Sequence, residues 1–219
     1  MTSPTVPAGP RLARPRAAAV AGVVFACLTI TGLALIRSAV PVSPGESGLW
    51  MADPARRRAV QYAVQLFPIA GIAFLWLMGV LRDRLGAHED RFFATVFLGS
   101  GLLFVASLFA SAAIGTALLD LVTAGNAPAP GTDIYRLARR ASYVFMNVFA
   151  IKMGGVFMFS TCVMAVRTAF LPRWLAYSGF FCGLALIVVI TTWEWIALLF
   201  PVWILVLSIY MLMADMRRH

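Results

Sequence analysis

The chain contains a single lysine, Lys152, and it lies inside the apolar run NVFAIKMGGVFMFST, residues 147–161. If a helix begins at Tyr143, Lys152 lies nine residues along that helix, about 14 Å from its start at 1.5 Å per residue. This depth is close to the middle of a bilayer, where an isolated charge costs about 2.5–3.5 kcal/mol on insertion scales. An ammonium group at this depth therefore needs a partner or water, and it could bind an anionic or lipid-like group.

Two interpretations of Lys152 are open at this stage. In the structural one, its amino group donates to backbone carbonyls or to a polar side chain such as Gln65 or Ser107, or reaches toward the interface. In the functional one, Lys152 lines a small, partly hydrated cavity in the outer half of the bundle and binds a ligand, or it pairs with Glu194. Because charged residues within a membrane are functional candidates by default, we take Lys152 as a candidate ligand-binding residue.

Gln61 and Gln65 lie four residues apart, so they share one face of a helix, and Pro68 is predicted to kink that helix just below them. They could line the same vestibule as Lys152, or they could hydrogen-bond to a neighbouring helix near the interface. The candidate ligand-binding residues are therefore Lys152, Gln65, Gln61 and Glu194.

Several kinds of chemistry are excluded by the residue types that the apolar runs lack. The only histidines are His88 and His219, and both lie outside these runs, which excludes a haem held within the bundle and a Ser-His protease or zincin site. The glycines of a phosphate loop do not precede Lys152. The three cysteines have no C-x-x-C spacing, so neither a disulfide framework nor a thiolate metal site is indicated. We assign no catalytic residue, no metal and no cofactor.

The composition is that of an integral membrane protein. Of 219 residues, 61% are hydrophobic and 12% are charged, against about 45–50% and about 25% in soluble domains. The net charge of +9 is explained by arginines that flank the apolar runs and face anionic lipid, and no basic stripe interleaved with aromatic residues indicates nucleic acid. The strong bias to arginine over lysine, with abundant alanine, is typical of a high-GC bacterial genome, so we expect a multi-pass protein of the bacterial plasma membrane.

Six apolar runs are close to the length of about 20 residues that a helix needs to cross a bilayer. Because backbone groups in lipid must be hydrogen-bonded internally, and no run alternates as a barrel strand does, the predicted fold is all-α, a polytopic helical bundle. The predicted spans are 17–36, 59–81, 92–119, 143–166, 174–191 and 196–214. They form one domain over 17–214, between a disordered cytoplasmic tail at 1–16 and a short cytoplasmic tail at 215–219.

The arginines favour an orientation with both termini in the cytoplasm. With the N-terminus inside, ten arginines fall in inner segments and seven in outer ones, and the inner loops are short and densely charged. The outer segment DIYRLARRASY, residues 133–143, places Arg136 and Arg140 one turn apart. It is predicted to lie on the membrane surface or to extend the fourth span outward.

Small residues recur four positions apart in three of the spans. This spacing lets helix backbones approach closely, so these faces are predicted to turn toward neighbouring helices. The residues are Ala18, Gly22 and Ala26 in span 1, Ser107, Ser111 and Gly115 in span 3, and Gly179 and Gly183 in span 5.

Two stretches carry a resemblance to a group of known sequences: GVFMFSTCVMAVRTAFLPRWLAY, residues 155–177, and WLMGVLRDRLGAHEDRFFATVFLGSGLLF, residues 76–104. The chain resembles uncharacterised multi-span integral membrane proteins of actinobacteria that have no assigned function, over most of spans 2 to 5. The shared residues are loop and packing features, so the resemblance implies no catalytic role. It does imply that a positive charge is required at Lys152, where such relatives are expected to carry arginine.

The sequence thus predicts a binding or accessory membrane protein whose bundle holds a lipid-like or anionic ligand near Lys152. Its expected partners are the lipid bilayer and either a second copy of the chain or another membrane protein. The alternative is a small transporter or channel subunit that works as an oligomer, and this alternative requires a continuous polar path through the bundle. No enzymatic activity is assigned.

Overall fold

The helices of the chain are arranged as a bundle of long antiparallel segments. The computed structural model describes residues 14–40, 49–85, 91–126, 132–168, 171–188 and 194–216, and over these ranges it contains no strand. The α-helices are α1 (Arg14–Ala39), α2 (Pro54–Leu85), α3 (Arg91–Thr123), α4 (Asp133–Val144), α5 (Ile151–Thr168), α6 (Arg173–Val188) and α7 (Leu199–Met216). Leu49–Met51 and Glu194–Leu198 form short 3-10 helices, and Phe145–Ala150 forms a π-helix.

The π-helix joins α4 and α5 into one continuous helical segment, Asp133–Thr168, of 36 residues. The amphipathic stretch at 133–143 therefore continues the helix of the fourth predicted span at its N-terminal end, as one of the two predicted alternatives requires. The predicted span of 143–166 lies within this segment, and the polar residues and arginines of α4 precede the apolar run that defines that span.

Within the described ranges, five helical segments are long and apolar enough to cross a membrane, and the bundle of helices predicted from the sequence is therefore confirmed. The fifth predicted span corresponds to α6, which has 16 residues and a length of about 24 Å at 1.5 Å per residue. This is shorter than the usual length of about 20 residues for a crossing. Residues 189–191, at the end of the predicted span, lie outside the described residues, as do residues 1–13 and 217–219 of the predicted tails.

The centre of the bundle is filled by phenylalanine rings from five helices. These residues, which we call the phenylalanine cluster, are Phe25 of α1, Phe74 of α2, Phe104 of α3, Phe157 of α5 and Phe200 of α7, all buried. Their ring centroids lie 4.7–6.1 Å apart, in tilted or edge-on pairs. Such pairs contribute about 0.5–1.5 kcal/mol each beyond the burial of their area. The cluster therefore makes the middle of the bundle apolar and closed.

Helix α6 contributes no ring to the phenylalanine cluster and packs instead against α5 through glycines. A Cβ atom on Gly155 would lie 2.8 Å from the carbonyl oxygen of Gly183, and a Cβ on Gly183 would lie 2.9 Å from that of Gly155. Gly179, one turn away, faces Cys162 of α5 and Trp203 of α7. The small-residue face of α6 is therefore used inside the chain, and it is not the surface through which a second chain would dock.

The two ends of the bundle carry different polar contacts. At one end, Arg16 Nε of α1 donates to Asp215 Oδ2 of α7 over 3.0 Å, so the start of the first helix lies beside the end of the last. At the opposite end, the indole nitrogen of Trp50 donates to the hydroxyl of Tyr135 over 3.0 Å. We call these the Arg16 end and the Tyr135 end.

Candidate functional site

The amino group of Lys152, near the start of α5, lies between two helices. It donates to the carbonyl oxygen of Ile187, in the last turn of α6, over 2.8 Å, and the contact is partly buried. The last four carbonyls of a helix have no partner within that helix, and they carry its negative dipole end. A lysine amino group at this position satisfies one of these carbonyls, so the observed contact is the backbone carbonyl contact of the structural interpretation.

The two cavities described below contain only part of the predicted set of ligand-binding residues. Lys152 lines neither of the two cavities described below. Gln61 and Gln65 lie on the wall of the second cavity, while the side chain of Glu194 lies outside the described residues. Ligand binding at Lys152 stays a prediction, and the vestibule expected to join it to the two glutamines is not formed by the residues that line these cavities.

A cavity of about 140 Å³ lies between α1, α2, α3 and the α4–α5 segment at the Tyr135 end. We call it the Tyr135 cavity. Most of its wall is apolar, and the polar groups come mainly from α4 and its continuation. The lining residues are Leu33, Ile36, Arg37, Val40, Trp50, Val60, Val64, Phe67, Ser111, Ala112, Gly115, Leu118, Tyr135, Arg139, Ser142, Tyr143, Met146 and Asn147.

Hydrogen bonds between helices hold the wall of the Tyr135 cavity in place. Trp50 and Tyr135 are 4% and 2% exposed, and their hydrogen bond ties the segment before α2 to α4. Ser111 Oγ of α3 donates to the backbone carbonyl of Ser142 over 3.0 Å, and the two hydroxyls also lie 3.0 Å apart. Ser111 belongs to one of the small-residue patterns, so the predicted packing of that face against another helix is confirmed.

Two arginines, Arg37 of α1 and Arg139 of α4, lie on the wall of this mostly apolar cavity, and both are partly buried. The guanidinium carbon of Arg37 lies 5.7 Å from the centre of the Trp195 ring, a cation–π arrangement. Arginine remains charged in proteins, and its planar group donates two parallel hydrogen bonds to a carboxylate or a phosphate. The Tyr135 cavity therefore combines an apolar volume with two fixed positive charges.

Sequence reasoning missed the Tyr135 cavity, although a signal for it is present. Tyr135, Arg139, Ser142 and Met146 follow one another at spacings of four, three and four, which places them on one face of a helix. Arg136 and Arg140, on which the sequence argument concentrated, are exposed on the other side. The inward face is recognisable by its tyrosine and serine, but only once α4 and α5 are known to be one segment.

A second cavity, of about 300 Å³, lies between α2 and α3 at the same end of the bundle. We call it the α2–α3 groove. Its wall is more polar than that of the Tyr135 cavity, and Val64 lines both. The lining residues are Pro54, Arg57, Arg58, Gln61, Val64, Gln65, Thr116, Leu119, Asp120 and Thr123.

In the described part of the chain, no three histidine, cysteine, aspartate or glutamate residues come together as a set that could hold a metal ion. Comparison with protein-family models, with curated proteins and with solved structures finds no match for the chain. The geometry of the two cavities and of the Lys152 contact is therefore the basis for assigning a function.

Proposed function

We propose that the protein is a binding protein of the bacterial plasma membrane that holds an amphipathic anion in the Tyr135 cavity. The observation that carries this proposal is the presence of Arg37 and Arg139 on the wall of a mostly apolar cavity. A ligand with a carboxylate or phosphate group pairs with the guanidinium groups. Its hydrocarbon part gains about 25 cal/mol for each Å² of apolar area that it removes from water.

The size of the cavity limits which part of such a ligand it encloses. Its volume of about 140 Å³ is close to that of an engineered protein cavity, about 150 Å³, which binds benzene. The Tyr135 cavity therefore encloses a charged group with a short length of alkyl chain, or a ring, and the remainder of a longer lipid extends into the bilayer.

The proposed arrangement in the membrane has six spans, with both termini in the cytoplasm and the Tyr135 end outside. The excess of arginines at the Arg16 end supports this orientation, and α6 serves as the sixth span, with the Lys152 amino group bonded in its last turn. Impermeant thiol labelling of Ala124→Cys in a cysteine-free background tests the orientation, because Ala124 is exposed at the end of α3. Labelling from outside intact cells is expected, and labelling only after lysis contradicts it.

Ligand binding is tested with oleate, which has one carboxylate, and with oleyl alcohol as its uncharged counterpart. Arg139→Gln is expected to weaken oleate binding to the delipidated protein by about tenfold or more, since a hydrogen bond to a charged group contributes about 1.5–3 kcal/mol. Binding of oleyl alcohol should change little. Arg136→Gln is the matched control, because Arg136 is exposed on the same helix and pairs with Asp133 over 3.9 Å.

A third variant tests the location of the ligand. Gly115 lines the Tyr135 cavity, so Gly115→Leu fills part of it and should weaken the binding of both probes. A Cβ at Gly99 meets no atom within 4 Å, so Gly99→Leu in the same helix should leave binding unchanged. The proposal is wrong if Arg139→Gln and Arg136→Gln bind oleate equally well, or if the Gly115 variant binds like the Gly99 variant.

The transporter alternative has no specific observation in its favour. It requires a polar path through the bundle, whereas the phenylalanine cluster occupies the middle of the bundle in the part of the chain that the structure describes. A carrier would have to separate these rings to let a polar solute pass, so we propose binding rather than transport.

A further inference from the structure

The α2–α3 groove is formed by two facing stripes of side chains. On α2, Arg57, Arg58, Gln61 and Gln65 lie at helical spacing along one face, and on α3 the stripe contains Thr116, Asp120 and Thr123. Because α2 and α3 are consecutive and antiparallel, Gln65 and Thr116 lie at about the same height along the groove. Arg58 and Thr123 likewise lie at about the same height. Asp120 then lies across the groove from the arginines and Gln61.

The opposite charges on the two walls do not neutralise each other directly. Within the described ranges, Asp120 forms no ion pair with Arg57 or Arg58. Arg58 Nε is instead bonded to the backbone carbonyl of Pro54 over 3.3 Å. A positive wall and a negative wall therefore face each other across a space of about 300 Å³.

The remaining polar groups of the groove are suited to hydrogen bonding with a ligand. The hydroxyls of Thr116 and Thr123 donate to carbonyls of their own helix over 2.9 Å each, and each hydroxyl oxygen keeps capacity to accept. The side chains of Gln61 and Gln65 are exposed, and each amide offers two donors and an acceptor. Leu119 and Val64 add an apolar floor.

We infer that the α2–α3 groove binds a zwitterionic headgroup of the phosphoethanolamine type, with its phosphate at Arg57 and Arg58 and its primary ammonium at Asp120. This site is distinct from the Tyr135 cavity and takes a ligand of different charge. A headgroup with both charges matches both walls, whereas a purely anionic group would place negative charge close to Asp120. The side chains of Arg58, Gln61 and Asp120 in the groove are exposed, so a headgroup at the membrane interface can reach them.

The three N–H groups of its primary ammonium distinguish this headgroup from its trimethylated analogue. A primary ammonium donates hydrogen bonds to the carboxylate of Asp120, and a trimethylated nitrogen cannot donate. Charge-assisted hydrogen bonds of this kind are about twice as strong as neutral ones. The groove should therefore prefer phosphatidylethanolamine to phosphatidylcholine with the same acyl chains.

The test is native mass spectrometry of the delipidated full-length protein with these two lipids at equal concentration. The wild-type protein is expected to prefer phosphatidylethanolamine by about tenfold, equivalent to about 1.4 kcal/mol. Asp120→Asn should lower its binding to the level of phosphatidylcholine, and Asp120→Glu should restore part of the preference. Asp133→Asn is the control, because Asp133 is an exposed carboxylate that lies outside the groove.

Variants of two adjacent arginines, Arg57 in the groove and Arg56 outside it, test the phosphate side of the groove. Arg57→Gln should weaken the binding of both lipids by a similar factor, because both carry the phosphate. Arg56→Gln should not, since Arg56 pairs with Asp53 over 3.4 Å and does not line the groove. Equal binding of the two lipids to the wild-type protein, or an unchanged preference in Asp120→Asn, would overturn the inference.

Soluble O-phosphoethanolamine, in millimolar excess, distinguishes a zwitterionic solute from a bilayer lipid as the ligand of the groove. Displacement of the lipid supports a zwitterionic solute as the ligand of the groove, while lipid binding that it does not displace supports a bilayer lipid. The oleate assay separates the two sites, because Asp120→Asn should bind oleate as the wild-type protein does. If the expected binding is not observed at one site, the proposal for the other site can therefore still be tested.

Discussion

Lys152 Nζ donates to the carbonyl oxygen of Ile187 over 2.8 Å, and this contact joins the middle of the Asp133–Thr168 segment to the last turn of α6. Two glycines bring α5 and α6 together about one turn away, at the Gly155–Gly183 crossing. The Lys152 hydrogen bond therefore holds the end of α6 against α5. Because α6 is short and contributes no ring to the phenylalanine cluster, its contacts with α5 support it.

Replacement of Lys152 by methionine is expected to lower the free energy of unfolding by about 1.5–3 kcal/mol. The variant keeps the length of the side chain but loses a hydrogen bond from a charged donor, which contributes about this amount, and it leaves the Ile187 carbonyl unpartnered. The change is measured by unfolding in mixed micelles. Lys152→Arg retains a donor and should lose less, and a methionine variant as stable as the wild-type protein would contradict this role.

Position 152 is also expected to be inaccessible to water. Lys152 lines neither the Tyr135 cavity nor the α2–α3 groove, and its amino group is directed to α6. A cysteine at this position, in a background without the three native cysteines, should resist an impermeant thiol reagent from both sides of sealed vesicles. Gln61→Cys should label from the outer side, because Gln61 is exposed in the groove. Labelling at 152 would instead show a hydrated site around the lysine.

Much of the fold could be predicted because membrane insertion leaves a strong pattern in the sequence. Runs of apolar residues indicate where helices lie, and in the described part of the chain five such helices are long enough to cross a membrane. The small residues Gly22 and Gly183 do face neighbouring helices, at Ser208 and Gly155 respectively. The sequence left the continuity of α4 with α5 as one of two alternatives, because the polar side chains of α4 resemble those of a loop by hydropathy alone.

The candidate site was harder to predict because its residues come from four different helices. Lys152 was conspicuous as a charge in an apolar run, yet its partner is a backbone carbonyl, and a carbonyl leaves no mark in the sequence. Arg37 and Arg139 are 102 residues apart in the chain and are ordinary arginines near the ends of apolar runs. Only the folded arrangement of the helices around the Tyr135 cavity places both on its wall.

Helices α5 and α6 approach so closely that one methyl group added at their contact is expected to disrupt their packing. In Gly155→Ala the new Cβ would lie 2.8 Å from the carbonyl oxygen of Gly183, and backbone must shift to accommodate it. A loss of about 1–3 kcal/mol in the free energy of unfolding is expected, as for other overpacked sites. Gly99→Ala, with no atom within 4 Å of the added Cβ, should be neutral or slightly stabilising. Equal stability of the two variants would show that α6 does not depend on this crossing.

The Trp50–Tyr135 hydrogen bond predicts a stability effect at the Tyr135 end of the bundle. Tyr135→Phe removes the hydroxyl that accepts from the indole nitrogen of Trp50 and leaves a buried donor without that acceptor, which costs about 1–3 kcal/mol. Tyr62→Phe is the control, because Tyr62 is 60% exposed and should change stability little. The free energies of unfolding of Tyr135→Phe, Trp50→Phe and the double variant form a cycle. A coupling energy near zero in that cycle would show that the hydrogen bond does not hold the wall of the Tyr135 cavity.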